Sequence, residues 1–160
     1  MRIRTLNAAT STLALPLIEA QYREHDIPMG GARLRRALRL LLPRAGTARS
    51  PGAGTTRSSR AGAILLASDA LEATGVAVLS FTVALEHGGR VAWLDELYVV
   101  PGRRGEGIGR ALLMAALAAA RRSGCKAVEL EVVRGHDRAA RLYLRESFHR
   151  LPRTRFSRAL

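Results

Sequence analysis

The stretch from residue 90 to residue 133 constrains the fold most, because it changes from a strand pattern to a helix pattern and back. Residues 90–100 are rich in β-branched and aromatic side chains, which favour a strand. Residues 107–122 contain the helix-forming run ALLMAALAAARR, and residues 127–133 alternate apolar and polar side chains as a strand does. A strand, a helix and a strand in this order predict a parallel, right-handed crossover.

The sequence just before this unit predicts antiparallel strands beside it. Residues 63–68 and 75–86 have the strand pattern, and short turns rich in polar residues and glycine separate them from each other and from residues 90–100. Short connections of this kind join antiparallel neighbours, so the three segments predict a meander.

Two helices are predicted between a first strand and this meander. Residues 3–6 read as a short strand, after which Asn7 or Thr10 can cap a helix to about Glu24. Apolar residues at helical spacing predict a second helix over residues 34–41, which Pro43 ends.

The C-terminal part adds a helix from Asp137 to about Glu146 and a terminal strand over residues 148–158. The fold class is therefore α/β (α+β), with a mixed, mainly antiparallel sheet flanked by helices in the order β-α-α-β-β-β-α-β-α-β. A chain of 160 residues is long enough for one core and too short for several, so residues 1–160 are expected to form a single domain.

Residues 44–62 interrupt this order with glycine, serine, threonine, proline, alanine and arginine. The segment has no acid and no large apolar residue, which predicts a flexible loop. It is either a lid over a substrate or an insertion without function, and its composition favours the insertion.

The charge is strongly basic overall, with 26 Lys and Arg against 13 Asp and Glu and a net charge of +13. Such an excess suggests a nucleic-acid or phosphate partner, but only 4% of residues are aromatic and no nucleic-acid-reading motif is present. Residues 61–100 carry a net charge of −4 between flanks of +8 and +9. An acidic centre of this kind favours a cationic ligand over specific nucleic-acid binding.

The number of cysteines and the hydropathy of the chain exclude further classes of protein. Cys125 is the single cysteine, so the chain forms no internal disulfide and no thiolate metal site, and we expect no metal. No apolar run approaches the roughly 20 residues that span a bilayer. Pro16 and Glu19 interrupt a weak signal-peptide pattern at the N-terminus. We therefore expect a cytoplasmic protein without membrane association.

Glycines 105, 107 and 109 lie where the strand of residues 90–100 gives way to the helix. Free N–H groups at a helix start, backbone that approaches a ligand closely and flanking arginines suit a pyrophosphate. Arg110 follows Gly109 where a Walker A loop needs Lys and Ser or Thr, and the third glycine is out of register for a dinucleotide fingerprint. A tight turn without a ligand is the remaining alternative.

Three motifs in the right order resemble the GCN5-related N-acetyltransferase (GNAT) superfamily. They are the turn Arg104-Gly105-Glu106-Gly107-Ile108-Gly109, the preceding strand Leu94-Asp95-Glu96-Leu97-Tyr98-Val99, and the later Ala139-x-x-Leu142-Tyr143-x-x-x-Ser147-Phe148. Ser147 stands where the family commonly has glycine, and His136 where it usually has asparagine. The detailed match covers about residues 90–150.

The resemblance implies acetyl transfer from acetyl-CoA, used as a co-substrate, to an amine. In the family the turn's backbone holds the pyrophosphate, and the pantetheine lies along the acidic strand before it splays from the next strand. The residues expected to hold acetyl-CoA are therefore Leu97, Tyr98, Val99, Arg104, Gly105, Glu106, Gly107, Ile108, Gly109 and Arg110, with His136 either at the cofactor or simply at a helix start.

The chemistry requires a base for the ammonium, a donor for the oxyanion of a tetrahedral intermediate and an acid for the thiolate. Glu96 is the first candidate base and Asp95 the second, because strand alternation puts them on opposite faces. Tyr143 matches the family's general acid. Each also has a plain structural interpretation, as a solvated strand acid or a core tyrosine.

The acceptor is expected between residues 22–30 and residues 86–90, by resemblance, and their acidic side chains suit a cationic amine. We expect a primary amine of a small molecule or peptide. A CoA-binding regulatory module without turnover is the alternative, and a basic nucleic-acid-binding protein fits less well. Dimers are common in the family, so a homodimer is one expected assembly.

Overall fold

The computed structural model describes residues 1–42, 61–70 and 72–158. Its strands are β1 (Arg2–Thr5), β2 (Gly62–Ser68), β3 (Ala73–Ala84), β4 (Gly89–Val99) and β5 (Ala127–Leu130), and its α-helices are α1 (Leu15–Glu24), α2 (Gly31–Leu41), α3 (Ile108–Arg122) and α4 (Asp137–Arg145). The loop predicted at 44–62 lies almost entirely outside the described residues, and its last residue, Gly62, already belongs to β2.

The five strands form one sheet in the order β1-β2-β3-β4-β5. The first three pairings are antiparallel, which confirms the predicted meander. β4 and β5 are parallel and pair from Val91 with Ala127 to Leu94 with Leu130. The mixed sheet flanked by helices is the predicted fold class.

Helices cover both faces of the sheet, because the central strands are apolar on both sides. All but the last residue of β2 are buried. Alternate residues contribute to two separate cores: Leu65, Leu79 and Leu94 pack against α3 and α4, whereas Ile64, Val76 and Val78 pack against α1 and α2. Among the described residues, no helix is long and apolar enough to cross a bilayer.

The register between β3 and β4 shifts by one residue at Asp95. Val78 pairs with Glu96 and Leu79 pairs with Leu94, so Asp95 is the extra residue of a β-bulge. Leu94 and Leu97 both contact the core under α3. In a regular strand one residue separates two side chains on the same face, whereas here two residues, Asp95 and Glu96, lie between them. Alternation therefore fails at this point of β4.

The N-terminal helix begins later than predicted. The Asn7 side chain accepts hydrogen bonds from the N–H groups of Ala9 and Thr10, both at 3.0 Å, and so forms a turn rather than a helix cap. A 3-10 turn over Ser11–Ala14 follows, and α1 starts at Leu15. Pro16, which has no N–H to satisfy and a suitable fixed φ, lies in the first turn of α1.

The helix α4 ends in a left-handed residue. Ser147 has φ +66, and the Phe148 N–H donates to the Tyr143 carbonyl oxygen at 3.0 Å, closing the helix as a Schellman-type cap does. Glycine adopts this φ without steric cost, whereas serine does not. The serine that departs from the family pattern thus occupies a position that favours glycine.

The terminal strand predicted over residues 148–158 is wrong. These residues form no strand, and β5 also ends earlier than predicted, at Leu130. Pro152 lacks an N–H for a ladder, and Phe156 is 89% exposed. Side-chain ion pairs of Arg153 and Arg155 connect the segment to the sheet instead.

Candidate active site

The turn between β4 and α3 has the conformation that its glycines allow. Gly105 and Gly107 have φ +98 and +81, which lie in the left-handed region. The first backbone bond of α3 runs from the Ala111 N–H to the Gly107 carbonyl at 3.0 Å, so the N–H groups before it have no acceptor in the helix. A Cβ on Gly107 would meet no atom within 4 Å. The turn is therefore open above its free donors and fits a pyrophosphate.

The arginines around this turn are paired with carboxylates of the same chain. Arg103 contacts Asp69 at 2.6 Å and Glu106 at 2.9 Å. Arg110 contacts Glu146 at 2.6 Å. Their guanidinium groups thus hold the turn against its neighbours, and the backbone N–H groups remain as the donors for an anion.

Arg104 connects three elements at the end of β4. Its Nη1 and Nη2 donate to the Glu24 carboxylate of α1 at 2.8 and 2.7 Å, and its Nε donates to the Val99 carbonyl at 2.9 Å. The guanidinium also lies 5.4 Å from the centre of the Tyr98 ring. The pKa of Glu24 is lowered by its hydrogen bond to Arg104. Arg104 thus positions the end of α1 beside the glycine turn.

β4 and β5 separate halfway along β4. Their pairing ends at Leu94 and Leu130, and residues 131–133 form no strand. Within the described part of the chain, the β5-facing edge of β4 beyond Leu94 therefore has no strand partner. Leu97, Tyr98 and Val99, which the sequence predicts to hold the pantetheine, lie on this part of β4.

Glu96 is held by two side chains of α1. The Tyr22 hydroxyl donates to a Glu96 carboxylate oxygen at 2.5 Å, and the Gln21 side chain also hydrogen-bonds to Glu96. Burial raises the pKa of Glu96 to about 7, with a smaller contribution from the charge of Asp95. Burial and this carboxylate also raise the pKa of Tyr22 above its usual range. Glu96 is thus poised to take or release a proton near neutral pH.

Asp95 lies on the same face of the sheet as Glu96, so the predicted placement on opposite faces is wrong. Its carboxylate accepts a hydrogen bond from Ser80, which alternation in β3 puts on the face of Val76 and Val78. The bulge is the physical reason, because it inserts Asp95 between residues that would otherwise alternate. Partial desolvation raises the pKa of Asp95, although its side chain reaches solvent.

Tyr143 lies on the other face of the sheet. It is 8% exposed, belongs to the core under α3 and contacts the Phe148 ring with the centroids 5.7 Å apart. Desolvation raises the pKa of Tyr143 to about 12. Glu96 and Tyr143 can thus reach one ligand only through the opening between β4 and β5.

His136 lies at the start of α4 and packs on α1. Its ring makes an edge contact with the ring of His25, with the centroids 4.8 Å apart. His25 follows the last residue of α1. His136 therefore helps to fix the end of α1 near the glycine turn.

The two stretches predicted to contact the acceptor, residues 22–30 and 86–90, carry acidic side chains that pair with arginines. Glu24 is paired with Arg104, as described, whereas Glu86 is paired with Arg153 at 2.5 Å. His87 contacts Glu129 at 2.9 Å, and one ligand atom from each of Glu86, His87 and Glu129 lies within 4.8 Å of the others. Because Arg153 already neutralises Glu86, we assign no cation to this cluster.

Sequence reasoning missed the contribution of α1 to Glu96. One signal is present in the sequence, since Leu17, Ile18 and Gln21 share the buried face of α1. A glutamine on an apolar helical stripe indicates a buried polar partner. That partner, Glu96, lies far away along the chain, and no local pattern identifies it.

Comparison with known proteins gives first the fold and then the family. The integron cassette protein HFX_CASS3 from the mobile metagenome of Cole Harbour Salt Marsh superimposes with a TM-score of 0.77 at 23% identity, covering 99% of this chain and 90% of that one. The aminoglycoside N-acetyltransferase AAC(6')-Iy in complex with CoA has a TM-score of 0.76 at 17% identity, covering 99% and 93%. Both share the whole fold described above.

The family follows from a match of the acetyltransferase (GNAT) family model to residues 37–148. The chain belongs to this family. A structure from Arthrobacter sp. FB24, assigned to the acetyltransferases, is 29% identical with a TM-score of 0.73, covering 100% of this chain and 96% of that one. A search of curated protein sequences gave no match.

Proposed function

We propose that this chain is an acetyl-CoA-dependent N-acetyltransferase that moves an acetyl group directly to a primary amine of a small molecule or peptide. One observation carries the proposal: a half-buried carboxylate, Glu96, is held by Tyr22 and has its pKa raised to about 7 just beyond the point where β4 parts from β5. The family and the open glycine turn next to the same strand support it.

The residues of the turn fit the cofactor's anionic end. Of the N–H groups expected from Arg104 to Arg110, that of Arg104 donates to the Pro101 carbonyl oxygen at 3.3 Å, so those from Gly105 to Arg110 would hold the pyrophosphate. The free edge of β4 at Leu97 to Val99 would accompany the pantetheine. Acetyl-CoA supplies the thioester carbonyl and a thiolate leaving group. An aminoglycoside N-acetyltransferase of the same fold has been solved in complex with CoA, which supports CoA as the ligand.

Glu96 serves as the base in this proposal. The acceptor arrives mostly as an ammonium ion, and Glu96 takes one of its protons so that the nitrogen lone pair can attack the thioester carbon. The nitrogen of the tetrahedral intermediate loses a second proton to solvent, and the C–S bond breaks to give the amide and the CoA thiolate. Tyr22 and Gln21 orient the Glu96 carboxylate, and Asp95 adds negative charge that attracts the ammonium.

Tyr143 serves as a donor to the leaving thiolate. A phenol whose pKa is about 12 keeps its proton at neutral pH, whereas a free thiol has a pKa of about 8.5. Complete proton transfer to the thiolate is therefore uphill, and a hydrogen bond is the larger contribution. Tyr143→Phe is expected to lower kcat about tenfold in a free-thiol assay, a loss typical of one hydrogen bond to a charged group. An unchanged kcat would remove this role.

The direct experiment is an acceptor screen by mass spectrometry with acetyl-CoA. Wild-type protein is expected to add one acetyl group to at least one class of primary amine among polyamines, aminoglycosides, amino acids and peptides, and Glu96→Gln to do so at least about a hundredfold more slowly. Binding of CoA without transfer to any amine would contradict the proposal and favour a regulatory CoA-binding module.

A further inference from the structure

The C-terminal segment, residues 149–158, places one arginine, Arg155, against Trp93 of β4 and Glu131. Arg155 Nη1 contacts a Glu131 carboxylate oxygen at 2.8 Å, and its guanidinium lies 5.1 Å from the centre of the Trp93 ring. The same charge acts on the Asp95 carboxyl. Arg155 is therefore bound by an aromatic ring and one carboxylate, with the charge of Asp95 acting from further away, which is the kind of environment that recognises an organic cation.

This cation-binding group lies on the same face as Glu96. Trp93 pairs with Ser80, whose side chain contacts Asp95. The Arg155 guanidinium contacts both the Glu131 carboxylate and the Trp93 ring, so Glu131 lies beside Trp93. Trp93, Asp95 and Glu131 thus extend the surface that begins at Glu96.

A second observation points to a ligand at the Glu96 end. Gln21 is 8% exposed and hydrogen-bonds to Glu96, yet its Oε1 has no hydrogen-bond partner among the described residues. A buried amide oxygen without a donor is unfavourable, and the N–H of a bound ammonium would satisfy it. Glu96 and Gln21 together therefore present two acceptor groups to one amine.

We infer that this face binds an acceptor with two positive charges, the reacting amine at Glu96 and Gln21 and a second cationic group on Trp93, Asp95 and Glu131. Arg155 occupies the second position when no acceptor is bound. The inference rests on the proposed function for the role of the first amine, and it names the substrate class of that same site as a diamine or another multiply charged amine.

Arg155 is a ligand that an acceptor can displace. Its side chain is 60% exposed and that of Glu131 is 45% exposed, and ion pairs this open to solvent are weak. Residues 149–158 also form no ladder that would fix them to β5. The segment thus competes with the acceptor without closing the site permanently.

The test is calorimetric binding of amines to the full chain saturated with CoA, so that it requires no turnover. Putrescine and cadaverine are compared with butylamine and pentylamine, which have the same carbon chains and one charge fewer. We expect each diamine to bind about tenfold more tightly than its monoamine, since a partly desolvated carboxylate and an aromatic ring contact the second charge. Equal binding of diamine and monoamine, or no binding of either, would overturn the inference.

Two variants locate the second charge. Glu131→Gln is expected to reduce diamine binding to the monoamine level, and Arg155→Gln to strengthen diamine binding severalfold. Glu72→Gln and Arg158→Gln make the same changes of charge at exposed positions elsewhere and are expected to leave the preference for diamines unchanged. A preference that survives Glu131→Gln would contradict the assignment.

The proposed function and this inference can fail separately. Acetyl transfer to amines without a preference for diamines would remove the second subsite and leave the N-acetyltransferase intact. A preference for diamines that depends on Glu131, together with no acetyl transfer in the mass-spectrometric screen, would keep the subsite and remove the proposed catalytic function.

Discussion

The burial that gives Glu96 a pKa suited to its proposed role as the base also lowers the stability of the folded protein. In an unfolded chain its carboxyl ionises near its ordinary pKa of 4.5, whereas burial raises the pKa of Glu96 to about 7 in the folded protein. The unfolded state therefore loses this proton first as the pH rises. The free energy of unfolding therefore falls as the pH rises from the lower pKa to the higher one, and the loss is complete above the higher pKa.

This penalty predicts that Glu96→Gln is more stable than wild type at alkaline pH. The gain should approach, at most, about 3 kcal/mol at pH 8 and shrink as the pH falls toward 5, because the wild-type carboxyl is then neutral when folded. Urea unfolding at several pH values measures the difference. Glu72→Gln, at an exposed turn, is the control. A difference that does not grow with pH would contradict the burial of this charge.

Ser147 provides a second prediction at this scale. Because its φ is +66, Ser147→Gly is expected to stabilise the protein by about 0.5 to 1 kcal/mol through relief of a left-handed conformation. Thermal unfolding checks this. Ser123→Gly is the matched control, since Ser123 also follows a helix but has φ −82, and there glycine should give no gain. Equal effects of the two substitutions would mean that φ is not the cause.

At the scale of elements, the glycine turn joins local conformation to ligand binding. Gly107→Ala places a methyl group in the space above the turn and forces alanine to φ +81, so we expect a loss of about 1 kcal/mol in stability and about tenfold in CoA affinity. Gly88→Ala is the matched control. Gly88 has φ +60 and free space around it, but lies in the turn between β3 and β4.

Stability and CoA affinity should separate in this pair of variants. Calorimetric titration with CoA is expected to show the affinity loss for Gly107→Ala only, whereas both variants lose comparable stability. If CoA affinity is the same in both, the turn is a structural device and not the cradle of a pyrophosphate.

Features that neighbouring residues determine could be predicted from the sequence, whereas features that depend on contacts between distant segments could not. The turn was predictable because closely spaced glycines where a strand gives way to a helix favour a tight turn by themselves, and the positive φ angles of Gly105 and Gly107 agree with it. The bulge at Asp95 was not, because one extra residue in β4 shows only against the register of β3. The pairing of Glu96 with Tyr22 likewise depends on how α1 packs across the sheet.

At the scale of the whole molecule, ion pairs within the chain account for several of the arginines that make it basic. Arg103, Arg104 and Arg110 pair with acids that stabilise the turn, Arg153 pairs with Glu86 in the turn between β3 and β4, and Arg155 pairs with Glu131 just after β5. The net charge of +13 therefore does not indicate a nucleic-acid surface at these positions. Of the acidic centre predicted from the sequence, Asp95 and Glu96 lie where a cationic acceptor is proposed to bind, whereas Asp69 and Glu86 pair with arginines elsewhere.

The pH dependence of acetyl transfer tests the central claim most directly, since it links Glu96 to the chemistry. With a fixed primary amine, kcat/KM of the wild type is expected to rise with pH and to level off above about 7, because Glu96 must lose its proton before it can accept one. Burial is the main cause of this raised pKa; among the groups that face Glu96, Asp95 raises it further, and the hydrogen bonds from Tyr22 and Gln21 lower it. Glu96→Gln should be much slower and lack this rise, whereas an identical profile in both proteins would contradict the account.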